Sequence, residues 1–315
     1  MIGLGDLAAV LAAVLLAALG GEAFLKGVLG IARWLRVPKL VVATTLAAFA
    51  TSSPELTVSS IAALSGKPEI GLGDALGSNV VNIALIFGLA LLFGPIKAKR
   101  RELGRDFGLA LIVPFLTFWL AVNGQISRFE GALLLLIFAG WLVATIRAAA
   151  KTRRALAVNE AASPALLALA YAAGGFVALI FAGRLFVSGA SGIAVAFGVD
   201  PYVIGATVVA IGTSLPELVT VLLARWRGHD EIGIGTLLGS NLFNGLAVVG
   251  VAASLHPIAA PLLEVGPALV LGMAAVLLMI PDRSGHITKV RGIVLLTIYV
   301  IFVLATMLAG QGWHL

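Results

Sequence analysis

Residues 50–56 read ATSSPEL, and residues 212–218 read GTSLPEL. Glu55 and Glu217 differ by 162 positions, and so do Pro54 and Pro216, Thr51 and Thr213, Ser52 and Ser214, and Ala48 and Ala210. The same offset holds for Gly66/Gly228, Glu69/Glu231, Gly77/Gly239, Ser78/Ser240, Asn79/Asn241, Asn82/Asn244 and Pro95/Pro257. A gapless self-match of more than forty residues marks an internal duplication, so each half is expected to fold as the same unit.

What surrounds the motifs is apolar. The chain is 60% hydrophobic and 11% charged, with a mean hydropathy of +1.09 and no cysteine. Soluble domains carry about 25% charged residues, so the composition excludes a soluble fold and predicts an all-α membrane protein. The lack of cysteine removes disulfides, thiolate metal sites and cysteine nucleophiles. Residues 1–20 have no basic n-region, which suggests a first helix kept in the mature chain and not a cleaved signal. Apolar runs of about 20 residues predict ten spans, near 3–34, 39–65, 70–94, 105–122, 128–148, 165–197, 202–225, 232–254, 262–280 and 291–309. The first and sixth are long enough to require tilt. The longest linker, about 151–163, is too short for a regulatory domain. The expected layout is one integral membrane domain in two five-helix repeats, 1–155 and 156–315.

Basic residues set the orientation. The loops following odd-numbered spans hold 17 Lys and Arg, and the opposite side holds only Lys67 and Arg128. Odd loops are therefore expected in the cytoplasm and both termini outside, as in a multi-pass cell-membrane protein. The net charge of +6 reports topology in this reading, with no nucleic-acid partner implied. Five spans separate the motif copies, an odd number, so the second copy is inverted relative to the first. Inverted repeats with interrupted helices characterise secondary transporters, whose sites lie near the bilayer midplane.

The motif chemistry agrees. A proline inside a helix removes a backbone hydrogen bond, which is expected to free carbonyls near Ala48–Thr51 and Ala210–Thr213 toward a cavity. Carboxylates, hydroxyls, carboxamides and carbonyls form an all-oxygen donor set that suits hard cations such as Ca²⁺ and Na⁺. Thr51 and Glu55 share a helix face at i, i+4, as do Ser78 and Asn82, Thr213 and Glu217, and Ser240 and Asn244. Taken singly, the prolines could be packing kinks, and the hydroxyls could bond back to carbonyls. Repeated intramembrane carboxylates carry a functional reading by default. Asn79 and Asn241 could be helix caps or links to the opposing hinge. Glu22 and Arg184, also 162 apart, could pair between spans 1 and 6, or Glu22 could pair with Lys26 one turn along. A hydrolase built on Ser52 or Ser214 lacks a nearby histidine or lysine base, and a channel would not need inverted broken helices.

ATSSPEL…GSNVVN and GTSLPEL…GSNLFN resemble the α-repeats of the cation/calcium exchanger superfamily, in its sodium/calcium exchanger branch, of prokaryotic type without a regulatory domain. The resemblance implies a monomeric Na⁺/Ca²⁺ antiporter with no catalytic residue and no cofactor beyond its transported ions. By the same resemblance, Glu55, Glu217, Thr51 and Thr213 ligate Ca²⁺. Sodium ions would use Ser52, Ser214, the carbonyls of Ala48 and Ala210, and the side chains of Ser78, Ser240, Asn82 and Asn244. It further implies three Na⁺ per Ca²⁺, with spans 1 and 6 as the moving gate. Potassium-dependent relatives carry an aspartate in the second repeat, and proton/calcium exchangers carry glutamates in a different span 3 and 8 motif, whereas this chain has Asn82 and Asn244. That difference argues against potassium or proton coupling; either one, or exchange of another divalent cation, is the alternative.

Overall fold

A computed structural model describes residues 3–98, 100–155, 164–198 and 210–310. The linker at 156–163 and the first third of the seventh expected span, 202–209, lie outside the described residues. The first half contains α1 (Leu4–Leu35), then a broken span of α2 (Lys39–Val42), a π-helical turn (Ala43–Ala47), α3 (Ala48–Thr51) and α4 (Ser53–Leu64). Next come α5 (Pro68–Val80), a π-helix (Val81–Phe87) and α6 (Gly88–Leu92), followed by β1 (Ile96–Lys97), α7 (Arg100–Ala121), β2 (Gln125–Ile126) and α8 (Arg128–Ala155). The second half runs α9 (Ala165–Ala196), α10 (Ala210–Thr213), α11 (Leu215–Trp226), α12 (Asp230–Leu242), a π-helix (Phe243–Val248) and α13 (Val249–Leu255). It ends with β3 (Ile258–Ala259), α14 (Leu262–Leu278), β4 (His286–Ile287) and α15 (Lys289–Gly310).

The duplication in sequence is a duplication in backbone. Helical geometry breaks at Ser52 (φ −90°, ψ 3°) and at Ser214 (φ −86°, ψ 12°). Helices α4 and α11 end at Gly66 and Gly228, both with φ +72°. Glycine adopts that left-handed turn without steric cost. The next amides, Lys67 and His229, then donate back to Ala62 and Ala224 at 2.9 and 2.7 Å. The π-helices begin at Val81 and Phe243, again 162 apart.

Seven described helices are long and apolar enough to cross a membrane, with Lys39–Thr51 and Val265–Leu278 as shorter apolar pieces. The difference from ten expected spans has local causes. The second span is cut at Ser52, the seventh begins outside the described residues, and the ninth is only 17 residues long. Helix α8 also continues to Ala155, seven residues beyond the expected end of the fifth span. The segment Asp230–Leu255 forms the buried centre with Pro68–Leu92, while α1, α8, α9 and α15 expose most of their apolar surface, as lipid-facing helices do.

Two short antiparallel ladders stitch the halves together, β1 to β4 and β2 to β3. β1 and β3 are repeat equivalents, so each ladder joins one repeat to the other. The ladders place loops 95–98 and 281–288 on one face, and loops 122–127 and 256–261 on the other. Two-residue strands are too short to show alternation, and the sequence did not reveal them.

Helices α1 and α9 pack antiparallel along a seam of small residues. A Cβ on Gly20 would meet Ala178, one on Gly27 the backbone of Ala172, one on Gly30 Ala168, and one on Gly175 the backbone of Phe24. This register decides the partner of Glu22. It places Glu22 opposite about residue 176, so Arg184 lies roughly eight residues, or about 12 Å, further along the axis. Of the two alternatives for Glu22, the Arg184 pair is therefore absent and the Lys26 pair is formed. Glu22 binds Arg227 at 2.8 Å and Lys26 at 3.6 Å, while the Arg184 guanidinium sits 6.0 Å from the Phe181 ring centre.

The seam yields a test. Gly27→Val would drive a branched side chain into the Ala172 backbone, an overpacking that costs about 1–3 kcal/mol or more. Thermal unfolding in detergent should show a clear drop for this variant. Gly174→Ala, on the same seam helix but with open space around it, should melt like the parent.

Candidate cation site

The broken helices bring the two motifs to the buried centre. Thr51, Ser52, Glu55, Ser78, Asn82, Ser214, Glu217, Ser240 and Asn244 are each at most 6% exposed. Their chemistry crosses between repeats. The Thr51 and Ser240 hydroxyls lie 3.2 Å apart, and Ser240 Oγ donates to Glu217 Oε1 at 3.3 Å. Thr213 is half-buried and lines a cavity. Ala48 is fully buried, and Ala210 opens α10 with a side chain outside the described residues.

Asn79 and Asn241 are links, not caps. Asn79 Nδ2 donates to the Asn241 carbonyl at 3.4 Å, and Asn241 Nδ2 donates to the Asn79 carbonyl at 3.3 Å. This reciprocal pair spans two positions 162 apart and ties α5 to α12 where the repeats meet. It sits just before both π-helices. Wide turns of that kind occur mostly at functional sites, and here they hold Asn82 and Asn244. Asn82 Nδ2 donates to Asn241 Oδ1 at 3.2 Å, whereas neither polar atom of Asn244 has a partner among the described residues.

One expectation needs correction. The Ala48 carbonyl is not free, since it accepts from the Ser52 amide at 2.9 Å and from Thr51 Oγ1 at 3.3 Å. The carbonyl released by Pro54 is that of Ala50, four residues back, and Ser53 Oγ donates to it at 2.7 Å. A cation using the Ala48 oxygen has to compete with the Thr51 hydroxyl.

The oxygens without partners define what the site can hold. Among the described residues these include Glu55 Oε2, Glu217 Oε2, Ser52 Oγ, Ser214 Oγ, Asn82 Oδ1 and Asn244 Oδ1. Among the described residues no ion pair involves Glu55 or Glu217; the pairs present, such as Lys39–Glu231, Arg225–Asp230 and Glu22–Arg227, join other groups. A buried acceptor left unsatisfied costs about 1–3 kcal/mol, and a charged one more. A hard cation with an oxygen shell satisfies several of them together. Sequence matching passed over Asp74, whose Oδ2 is buried and unpartnered, because its repeat equivalent is the fully buried Thr236. An acidic residue within an expected span was the signal that could have found it.

A cavity of about 540 Å³ lies between α4, α9 and α10, lined by Ser53, Pro54, Thr57, Arg184, Thr213 and Pro216 among others. Its repeat counterpart is closed. Gly21 packs tightly on Val219 and Leu223, and Val219 stands where Thr57 stands in the first repeat. On the open side Gly183, the equivalent of Gly21, meets the Gly212 backbone while Thr57 faces the cavity. Equivalent sequences thus hold two different arrangements.

Buried carboxylates on two broken helices of an inverted repeat, within a shell of oxygens, define an ion-coupled membrane transporter. The chain belongs to the sodium/calcium exchanger protein family, whose pattern matches twice, over residues 6–147 and 167–308. It is 32% identical over 234 residues to the inner membrane protein YrbG of Escherichia coli, covering 71% of this chain and 72% of that one. It is 28% identical over 325 residues to the sodium/calcium exchanger MaX1 of Methanosarcina acetivorans, covering 90% and 93%. Its fold is similar to the solved sodium/calcium exchanger from Methanococcus jannaschii, with a TM-score of 0.82 and 27% identity over 96% of this chain and 99% of that one.

Proposed function

We propose that the protein exchanges Na⁺ for Ca²⁺ across a cell membrane by alternating access, as a monomer of ten spans in two inverted repeats, 1–155 and 156–315. The observation that carries this reading is the pair of unpartnered, buried carboxylate oxygens on Glu55 and Glu217 within an all-oxygen shell. Two formal negative charges suit one divalent ion, and the surrounding serines and asparagines offer enough further oxygens for several Na⁺. Thr51 and Thr213 complete the calcium shell. Ser52, Ser214, Ser78, Ser240, Asn82, Asn244 and the Ala48 and Ala210 carbonyls serve sodium. Both ions depend on the same glutamates, so they compete, and a gate that opens one side at a time converts competition into exchange.

The distribution of Lys and Arg supports an orientation with both termini outside. The open cavity then faces outward, and the closed Gly21–Val219 contact faces the cytoplasm. Helices α1 and α9 move as one gate, held together by their glycine seam. Proteoliposomes given separate Na⁺, H⁺ and K⁺ gradients test the assignment. Calcium flux should follow the sodium gradient alone. Flux driven by protons, or flux requiring potassium, would overturn the coupling drawn from Asn82 and Asn244.

A further inference from the structure

The polar stripe on α5 contains one group that the exchange reading leaves unused. Asp74, Ser78 and Asn82 recur every four residues and share a helix face, and in the second repeat Thr236, Ser240 and Asn244 take those places. The repeats therefore differ here by one carboxylate. Its depth follows from the α4–α5 hairpin, where Ser59 Oγ donates to the Gly71 carbonyl at 3.1 Å. Glu55 lies four residues from that contact and Asp74 three, both toward the centre, so their levels differ by about 1.5 Å along the axis. Asp74 Oδ2 is buried without a partner among the described residues.

Among the described residues no three acidic, histidine or cysteine side chains meet closely enough to hold one metal ion together. Asp74 therefore does not complete the Glu55–Glu217 pair as a third ligand to the same ion. Along α5 it lies between Ser78 and the loop at 65–67, the end toward which α4 runs from the cavity-lining Ser53 and Thr57.

We propose that Asp74 adds a carboxylate beside Ser78 to the sodium-binding oxygens at the open edge of the central site, making a sodium station there. The inference rests on the sodium/calcium exchange reading and adds to it one monovalent subsite that the other repeat lacks. A single carboxylate with a neighbouring hydroxyl neutralises one Na⁺ but leaves a divalent ion with an uncompensated charge, so the station favours sodium. Thr236, its neutral counterpart, gives the cytoplasmic side no such station. Sodium should consequently bind more tightly from the outside than from the inside.

The test uses purified full-length protein in proteoliposomes, with two transport modes measured on each variant. Sodium-driven calcium flux reads the sodium subsite, and calcium self-exchange in sodium-free medium reads the central site alone. Asp74→Asn should raise the external sodium concentration for half-maximal flux by tenfold or more and lower the steepness of sodium activation. Self-exchange should persist, and Asp74→Glu should restore much of the sodium response. Unchanged sodium activation in Asp74→Asn, with self-exchange intact, would overturn the inference. So would equal loss of both modes in Asp74→Asn and Asp74→Glu in a protein that still elutes as a single folded species, because that marks a structural role. Glu217→Gln is measured alongside. If that variant keeps calcium self-exchange, the central-site reading itself fails, independently of Asp74.

Discussion

Replacing Glu217 with Gln should abolish calcium flux while leaving the protein folded. The side chain keeps its shape and loses one of two formal charges at a site that is 1% exposed. Breaking a buried charge pair by removing one partner costs about 3–5 kcal/mol, which is roughly two to four orders of magnitude in affinity. Glu55→Gln should behave alike, since its oxygen is equally unpartnered. Stability should move the other way. With no cation present, each carboxylate is a desolvated charge, so neutralising it should not lower the melting temperature. Calcium should raise the melting temperature of the parent by mass action and leave that of the variants unmoved. Thr51→Val removes one neutral group, worth about 0.5–1.5 kcal/mol, and should weaken calcium only about two- to tenfold. Equal losses for Thr51→Val and Glu217→Gln would show that formal charge is not what holds the ion.

Transport should be electrogenic, sodium-driven and indifferent to potassium. Three Na⁺ against one Ca²⁺ moves one net charge per cycle. The membrane potential then contributes about 2.3 kcal/mol per 100 mV, which shifts the calcium gradient at equilibrium roughly fiftyfold. With voltage clamped by an ionophore, the reversal point of calcium flux should follow that slope, and replacing choline with potassium should change nothing. A reversal point independent of voltage would require two Na⁺ per Ca²⁺.

The outline of this structure was legible because duplication writes the same constraints twice. The repeated Pro-Glu pair marked both helix breaks, and the offset through Asn82 and Asn244 marked the helices that cross them. Other features lay beyond that signal. The π-helix at Val81–Phe87 is almost uniformly apolar, so its sequence has no period that separates a wide turn from an ordinary one. The partner of Glu22 depended on the register of two antiparallel helices, and offset alone cannot supply a register. Positions 162 apart in inverted helices meet only near the crossing point, and Glu22 and Arg184 lie on opposite sides of it. Asp74 was missed because matching across repeats selects what is shared, and Asp74 is where the repeats differ. The open cavity at Thr57 beside the closed contact at Val219 shows one sequence pattern in two arrangements, which a symmetric motif cannot encode.

The central claim is that sodium and calcium occupy one shared site. Equilibrium binding of radioactive calcium to the purified protein, titrated with sodium at constant ionic strength, tests it most directly. Sodium should displace calcium completely and cooperatively, potassium should displace none, and Glu217→Gln should bind no calcium at all. Calcium that stays bound at saturating sodium would mean that the two ions bind together, and exchange through a shared site would be contradicted.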